Sequence, residues 1–298
     1  MAWVPLQAQE VDTVYVETDS VRLHTVLTVP SEVDSPPLAV FIAGSGPTDL
    51  DGNQPSMTNN SLLYLSNELV NNGIATVRFD KRSIGKSSQF PESEMTIDLF
   101  ARDVESIIRH FRERGFSEVY IIGHSEGSLI GLIVAQDTEI DGFVSIAGAG
   151  SPADEILKKQ LQPQLPPMWY DQVVAMIDSL KNDMRVKKVT PSLQALFRQP
   201  IQPYLISWFD YVPVDLMAQL GCPALIVQGG NDIQVDISEA EKLAGAFNDA
   251  ELVVIDDMNH VLKSVDGDQN ANIATYTNPD LPVHPELVKE ISAFINNR

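Results

Sequence analysis

The stretch Val119-Tyr120-Ile121-Ile122-Gly123-His124-Ser125-Glu126-Gly127-Ser128-Leu129-Ile130-Gly131-Leu132-Ile133-Val134-Ala135 decides the fold. Its first four residues are apolar and β-rich. Its last eight have helical length, with small residues along one side. Between them stands G-x-S-x-G. The order strand, G-x-S-x-G, helix describes a serine on a sharp strand-to-helix turn, its hydroxyl lifted above a sheet. A side chain at 123 or 127 would crowd neighbouring backbone, and glycine also tolerates strained dihedrals. Ser125 sits at a helix N-terminus, where free N–H groups favour a developing negative charge.

Working outward, residues 11–17 and 21–29 alternate apolar and polar positions around Thr18-Asp19-Ser20, which predicts an antiparallel hairpin at a sheet edge. Residues 38–42, 74–79, 142–147 and 224–227 are apolar runs expected of strands covered on both faces. Helical patterns occupy 61–71, closed by Asn72-Gly73, and 97–114, 238–247 and 286–296, with a further strand at 251–255. Alternating strands and helices imply a mostly parallel sheet. The rhythm breaks from Ser151 to about Leu220, a Gln-, Pro-, Leu- and Met-rich stretch with helical periodicity, which predicts an inserted helical cap.

Composition sets bounds. The chain has 298 residues, 44% hydrophobic and 20% charged, ample for a sizeable core. With 20 Lys and Arg against 41 Asp and Glu, net charge is −21, and no basic face for nucleic acid is visible. The single cysteine, Cys222, excludes an intrachain disulfide and reads as a buried thiol. No apolar stretch reaches transmembrane length. Residues 1–10 lack Lys and Arg and match a signal peptide poorly, which predicts a cytoplasmic protein. A periplasmic or secreted one is the alternative if a leader was trimmed. Oligomeric state is unreadable.

A serine hydroxyl needs a base to take its proton and a carboxylate to orient that base. In this scaffold the chain order is Ser, then Asp or Glu, then His. Asp232, in the loop after the 224–227 strand, is the acid candidate. His260, after the 251–255 strand, is the histidine candidate; His284, beside Pro282 and Pro285, reads as a surface or cap residue. Asp256 and Asp257 are rival acids too close in sequence to reach the His260 ring without a tight turn. His124 belongs to the elbow. Acyl transfer also needs donors for an oxyanion: the backbone N–H groups of Glu126, after the serine, and of Ser45, in the Gly44-Ser45-Gly46 loop. The run Asp80-Lys81-Arg82-Ser83-Ile84-Gly85-Lys86-Ser87 lacks phosphate-loop spacing and reads as a structural loop with ion pairs among Asp80, Arg82 and their neighbours. Residues 256–270 lack a calcium-loop pattern and read as a solvated loop. No His/Cys cluster has metal spacing, so neither metal nor cofactor is expected.

Taken together, Gly44-Ser45-Gly46-Pro47-Thr48-Asp49, the run from Arg78 to Ser87 and Gly123-His124-Ser125-Glu126-Gly127 resemble the α/β-hydrolase superfamily. Within it they resemble the bacterial carboxylesterase branch, related to the prolyl-oligopeptidase and serine-aminopeptidase groups. Ala147-Gly148-Ala149-Gly150 before a helical segment is similar too. Two departures stand out: Ala43-Gly44 replaces the common His-Gly, and Ser128 replaces a second glycine after the elbow. The resemblance implies an eight-stranded, mostly parallel sheet with helices on both faces. Residues 1–151 and 214–298 would form the core and 152–213 the cap. It implies a serine esterase acting on small-molecule esters with short acyl chains, with Ser125, Asp232 and His260 as the triad. A peptidase or amidase on the same triad, or a non-catalytic binding module of the same fold, are the alternatives.

Overall fold

The computed structural model describes residues 9–297; the segment 1–8, most of the stretch read for a leader, lies outside them. Eight strands form one sheet: β1 (Gln9–Glu17), β2 (Arg22–Pro30), β3 (Leu38–Ile42), β4 (Ala75–Phe79), β5 (Val119–His124), β6 (Gly142–Ile146), β7 (Ala224–Gly229) and β8 (Ala250–Ile255). Their spatial order is β1-β2-β4-β3-β5-β6-β7-β8. The first two form the predicted antiparallel hairpin, β2 also pairs antiparallel with β4, and the other neighbours are parallel.

The strands read as continuous apolar runs because both faces are covered. Leu38, Val40 and Ile42 of β3 and Val119 and Ile121 of β5 enter one core. The intervening Ala39, Phe41, Tyr120 and Ile122 enter the other. This period of two is what an extended chain imposes. Helices α1 (Ser61–Asn71) and α11 (Pro285–Asn296) cover one face through Leu62, Leu65, Leu287 and Ile291. Helices α2 (Ile97–Glu113), α3 (Glu126–Asp137) and α9 (Ile237–Ala246) cover the other through Val104, Ile108, Ile130 and Leu243. Between β6 and β7 the chain runs through α4 (Ala153–Leu161), α5 (Pro167–Lys181), α6 (Gln194–Phe197), α7 (Gln202–Phe209) and α8 (Pro213–Met217). The first four of these share an apolar cluster of their own, including Val173, Ile177, Phe197 and Phe209.

One stretch departs from its sequence reading. Residues 256–270 are no simple solvated loop: Met258, Val261, Leu262, Lys263 and Val265 are buried, and Asp268 caps a short helix α10 (Gln269–Thr275). The Asn259 side chain pins the segment, donating to Asn272 and Thr275 and accepting from the Lys263 amide. Polar residues here serve internal hydrogen bonds, which composition alone does not distinguish from hydration.

The topology sets the place for a site. The chain steps from β3 outward to β4, then crosses back through α2 to β5 on the other side of β3. Ligands in open α/β sheets gather at the carboxyl ends of strands beside such a reversal. Ile42 pairs with Gly123, so the loops leaving β3 and β5 emerge side by side. The join between α3 and the sheet is very close: a Cβ at Gly127 would lie 2.1 Å from the Ile42 carbonyl oxygen, and one at Gly123 would lie 2.4 Å from the Gly127 oxygen. Gly127→Ala is therefore expected to destabilise the protein by about 1–3 kcal/mol through overpacking. Urea unfolding of the two proteins checks this; an unchanged midpoint would show that α3 moves away from β3 without cost.

Candidate active site

The turn after β5 is built around Ser125, whose φ is 55° and ψ −120°. A non-glycine residue there is strained, and such strain persists only where the surroundings enforce it. They do so here: the Ser125 amide donates to the Ile146 carbonyl at the end of β6, and the Ser128 amide donates to the Ser125 carbonyl. Ser128, where a glycine is common, bonds the Ser145 hydroxyl across 2.7 Å and locks α3 to β6. The Ser125 side chain stands at the N-terminus of α3, on the wall of a cavity of about 750 Å³.

Asp232 and His260 come together although 28 positions separate them. The His260 Nδ1 donates to Asp232 Oδ2 across 2.8 Å, which leaves Nε2 as the ring's free lone pair. Asp232 is held from several sides. Its Oδ1 accepts the Gln234 and Val235 amides, and its Oδ2 also accepts the Gln228 side-chain amide. Burial opposes its charge, but the His260 ring and the Val235 and Gln234 amides outweigh it and keep its pKa below the ordinary carboxylate value. The two rival acids are otherwise placed: Asp257 pairs with His284 Nε2 at 2.9 Å, and Asp256 is exposed. His284 caps α11 by accepting the Glu286 amide, and it is buried rather than superficial.

Ser125 Oγ forms no hydrogen bond with His260 among the described residues. The two loops are joined one residue earlier. His124 Nε2 donates to the His260 carbonyl across 2.8 Å, and the two rings lie 4.9 Å apart. Catalytic hydrogen bonds are often long in unliganded sites and tighten with substrate. Sequence reasoning left His124 within the elbow; its role as the tie between the two loops has no sequence signal beyond its place before the serine.

The third loop follows β3. Gly44 packs on the elbow, and an added Cβ there would stand 3.2 Å from Ser125 Cβ. Ser45 and Glu126, the two residues expected to present backbone N–H groups, both line the cavity with Ser125. The loop after β4 carries ion pairs on Asp80 and Arg82 as expected, but their partners lie outside it, and residues 81–84 also line the cavity. Arg82 grips Asp103 of α2 through two bonds of 2.6 and 2.8 Å. Asp80 accepts from His24, Leu50 and Lys86. Cys222 is a buried free thiol, its pKa pushed up to about 12 chiefly by burial. Among the described residues no group of His, Cys, Asp and Glu is arranged to hold a metal, and no helix is long and apolar enough to cross a membrane.

Residues 58–203 match the family described as Serine aminopeptidase, S33. Esterase EstD from Thermotoga maritima is 25% identical over 252 residues, which span 81% of this chain and 58% of the length of that relative. Est1E from Butyrivibrio proteoclasticus with ferulic acid bound superposes with a TM-score of 0.64 at 18% identity, over 96% of this chain and all of that one. The Pyrococcus furiosus esterase Pf2001 gives 0.63 at 16% identity, over all of this chain and 94% of that one. An enol-lactonase from Burkholderia xenovorans gives 0.60 at 17% identity, over 95% and 99%. The likeness to these structures lies in the fold: an eight-stranded α/β-hydrolase sheet.

Burial of the His124 ring, reinforced by electrostatic repulsion between an imidazolium there and the neighbouring His260 ring, pushes its pKa from 6.5 down to about 4. Between those values the unfolded chain binds a proton that the folded one refuses. The contribution of neutral His124 is therefore complete above pH 6.5 and is lost as pH falls toward 4. His124→Asn is expected to be less stable than the parent at pH 7 by about 1 kcal/mol for the lost hydrogen bond. The gap should close or reverse at pH 5, because the parent alone loses about 2 kcal/mol over that interval. Urea midpoints at both pH values check this; a gap that widens on acidification contradicts it.

Proposed function

We propose that this chain, which has the α/β-hydrolase fold, is a serine hydrolase that cleaves carboxylic esters through an acyl-enzyme. Ser125 is the nucleophile, His260 the base and Asp232 the acid that orients it. The observation that carries the reading is the His260–Asp232 bond, tied through His124 to the serine turn, beside a cavity on whose wall Ser125 stands.

Ser125 Oγ attacks the ester carbonyl as His260 Nε2 takes its proton. The carbonyl electrons move to oxygen, and the Glu126 and Ser45 N–H groups stabilise that oxyanion. Asp232 holds the imidazole in the tautomer that accepts the proton and favours the imidazolium that results. Collapse of the tetrahedral species expels the alcohol, which takes the proton from His260. Water, deprotonated by the same ring, then attacks the acyl-enzyme and frees the acid and Ser125.

Residues 152–213 serve in this reading as the cap. Ile156 and Leu157 of α4 and Tyr204 and Trp208 of α7 line the cavity with Leu129 of α3, an apolar wall suited to an acyl chain. The esterase names of the relative and of two of the solved structures support ester substrates. Short acyl chains remain our expectation, and a graded series of p-nitrophenyl esters reads the limit. The match to Serine aminopeptidase, S33 favours a second reading, amide cleavage on the same triad. Turnover of aminoacyl p-nitroanilides at rates matching the esters would select it.

Ser125→Ala is expected to reduce p-nitrophenyl ester turnover to the residual left by binding and oxyanion stabilisation alone. Asp232→Asn is expected to lower kcat by about 10⁴ with the fold intact. Steady-state kinetics with circular dichroism checks both; unchanged turnover in either folded variant would reject the scheme.

A further inference from the structure

The geometry points to Lys81 as a positioning residue that fixes and polarises the peptide presenting the Ser45 N–H to the oxyanion. This deepens the serine-hydrolase reading and rests on it. Lys81 Nζ donates to the Gly44 carbonyl oxygen across 2.6 Å, and the residue is 3% exposed. That oxygen and the Ser45 N–H belong to one planar amide. Holding the oxygen from behind therefore sets the direction in which the N–H points. Rotation of this peptide would turn the donor away from the serine, and the ammonium opposes that rotation with a charge-assisted bond in a site shielded from water.

The rest of the loop is arranged to the same end. The Ser45 carbonyl is occupied by the Thr48 hydroxyl at 2.9 Å and the Gln54 amide at 3.1 Å. Both carbonyls flanking the Ser45 N–H are thus tied down, while Ser45 itself faces the cavity. A cation on the carbonyl side also draws electron density toward oxygen, which strengthens the N–H as a donor.

A staple that only held a loop would not need a buried charge, which is costly unless paired. Lys81 is paired, and by a residue of the same site. Glu126 Oε1 lies 4.0 Å from Nζ, and the Phe100 ring centroid lies 5.5 Å away. Glu126 supplies the other proposed oxyanion N–H, and its side chain accepts the Tyr204 hydroxyl from α7. One buried chain of contacts therefore runs from the inserted helices through Tyr204, Glu126 and Lys81 to the Gly44 carbonyl. Burial pulls the Lys81 pKa down and the Glu126 pKa up, each opposed by its partner.

The test compares Lys81→Met with the double variant Lys81→Met/Glu126→Gln, which leaves no lone buried carboxylate. The readouts are kcat and KM for a p-nitrophenyl ester, normalised to folded protein. Inhibition by a boronic acid is measured alongside, because its tetrahedral adduct puts an oxygen where the oxyanion forms. We expect kcat to fall about 10–100-fold, less than outright loss of a donor, with KM within about twofold. The boronic acid should weaken by a similar factor. A folded double variant with kcat and boronic-acid affinity within about twofold of the parent overturns the role of Lys81 and leaves the triad untouched. A parent enzyme without Ser125-dependent ester turnover overturns both.

Discussion

The close approach of α3 to β3 is the constraint on which the site depends. The Gly127 backbone lies against the Ile42 carbonyl, where no side chain fits, and the chain between them turns through the positive φ of Ser125. The sheet and helix are fixed by their apolar faces, so the turn has no freedom to relax. Its strain is small beside the burial that enforces it. As a result the Ser125 side chain stands proud of the sheet, at the start of a helix and beside the loop leaving β3.

Around this turn one pattern recurs: buried polar side chains, charged or neutral, hold backbone or rings. Asp232 gathers two amides, a carboxamide and an imidazole. His124 holds the His260 carbonyl, and Lys81 holds the Gly44 carbonyl. Each loop of the candidate site is thereby fixed by a polar side chain from a neighbouring strand end or loop. Preorganisation of this kind is what acyl transfer requires, since dipoles that must reorient during reaction contribute less.

Much of the fold was legible because strands buried on both faces carry unmistakable apolar runs and because Asn72-Gly73 marks the end of α1 so plainly. The meeting of Asp232 and His260 was legible because each sits in the loop leaving the carboxyl end of one of two paired strands, β7 and β8. What was illegible is pairing across distance. Asp80-Lys81-Arg82 reads as a charged loop, yet Asp80 turns to His24, Lys81 to a carbonyl and Arg82 to Asp103. Nothing in three consecutive charges says that each leaves in a different direction. The burial of His284 and the helix capped by Asp268 were hidden likewise, since polar residues that satisfy one another look like polar residues in water.

The central claim is that one alcohol among many serines is made nucleophilic by its surroundings. Stoichiometric treatment with a fluorophosphonate, followed by intact mass and peptide mapping, tests it directly. A single adduct is expected, on Ser125, whose formation slows by orders of magnitude in His260→Ala. Absence of any adduct, or one placed on another serine, would contradict it.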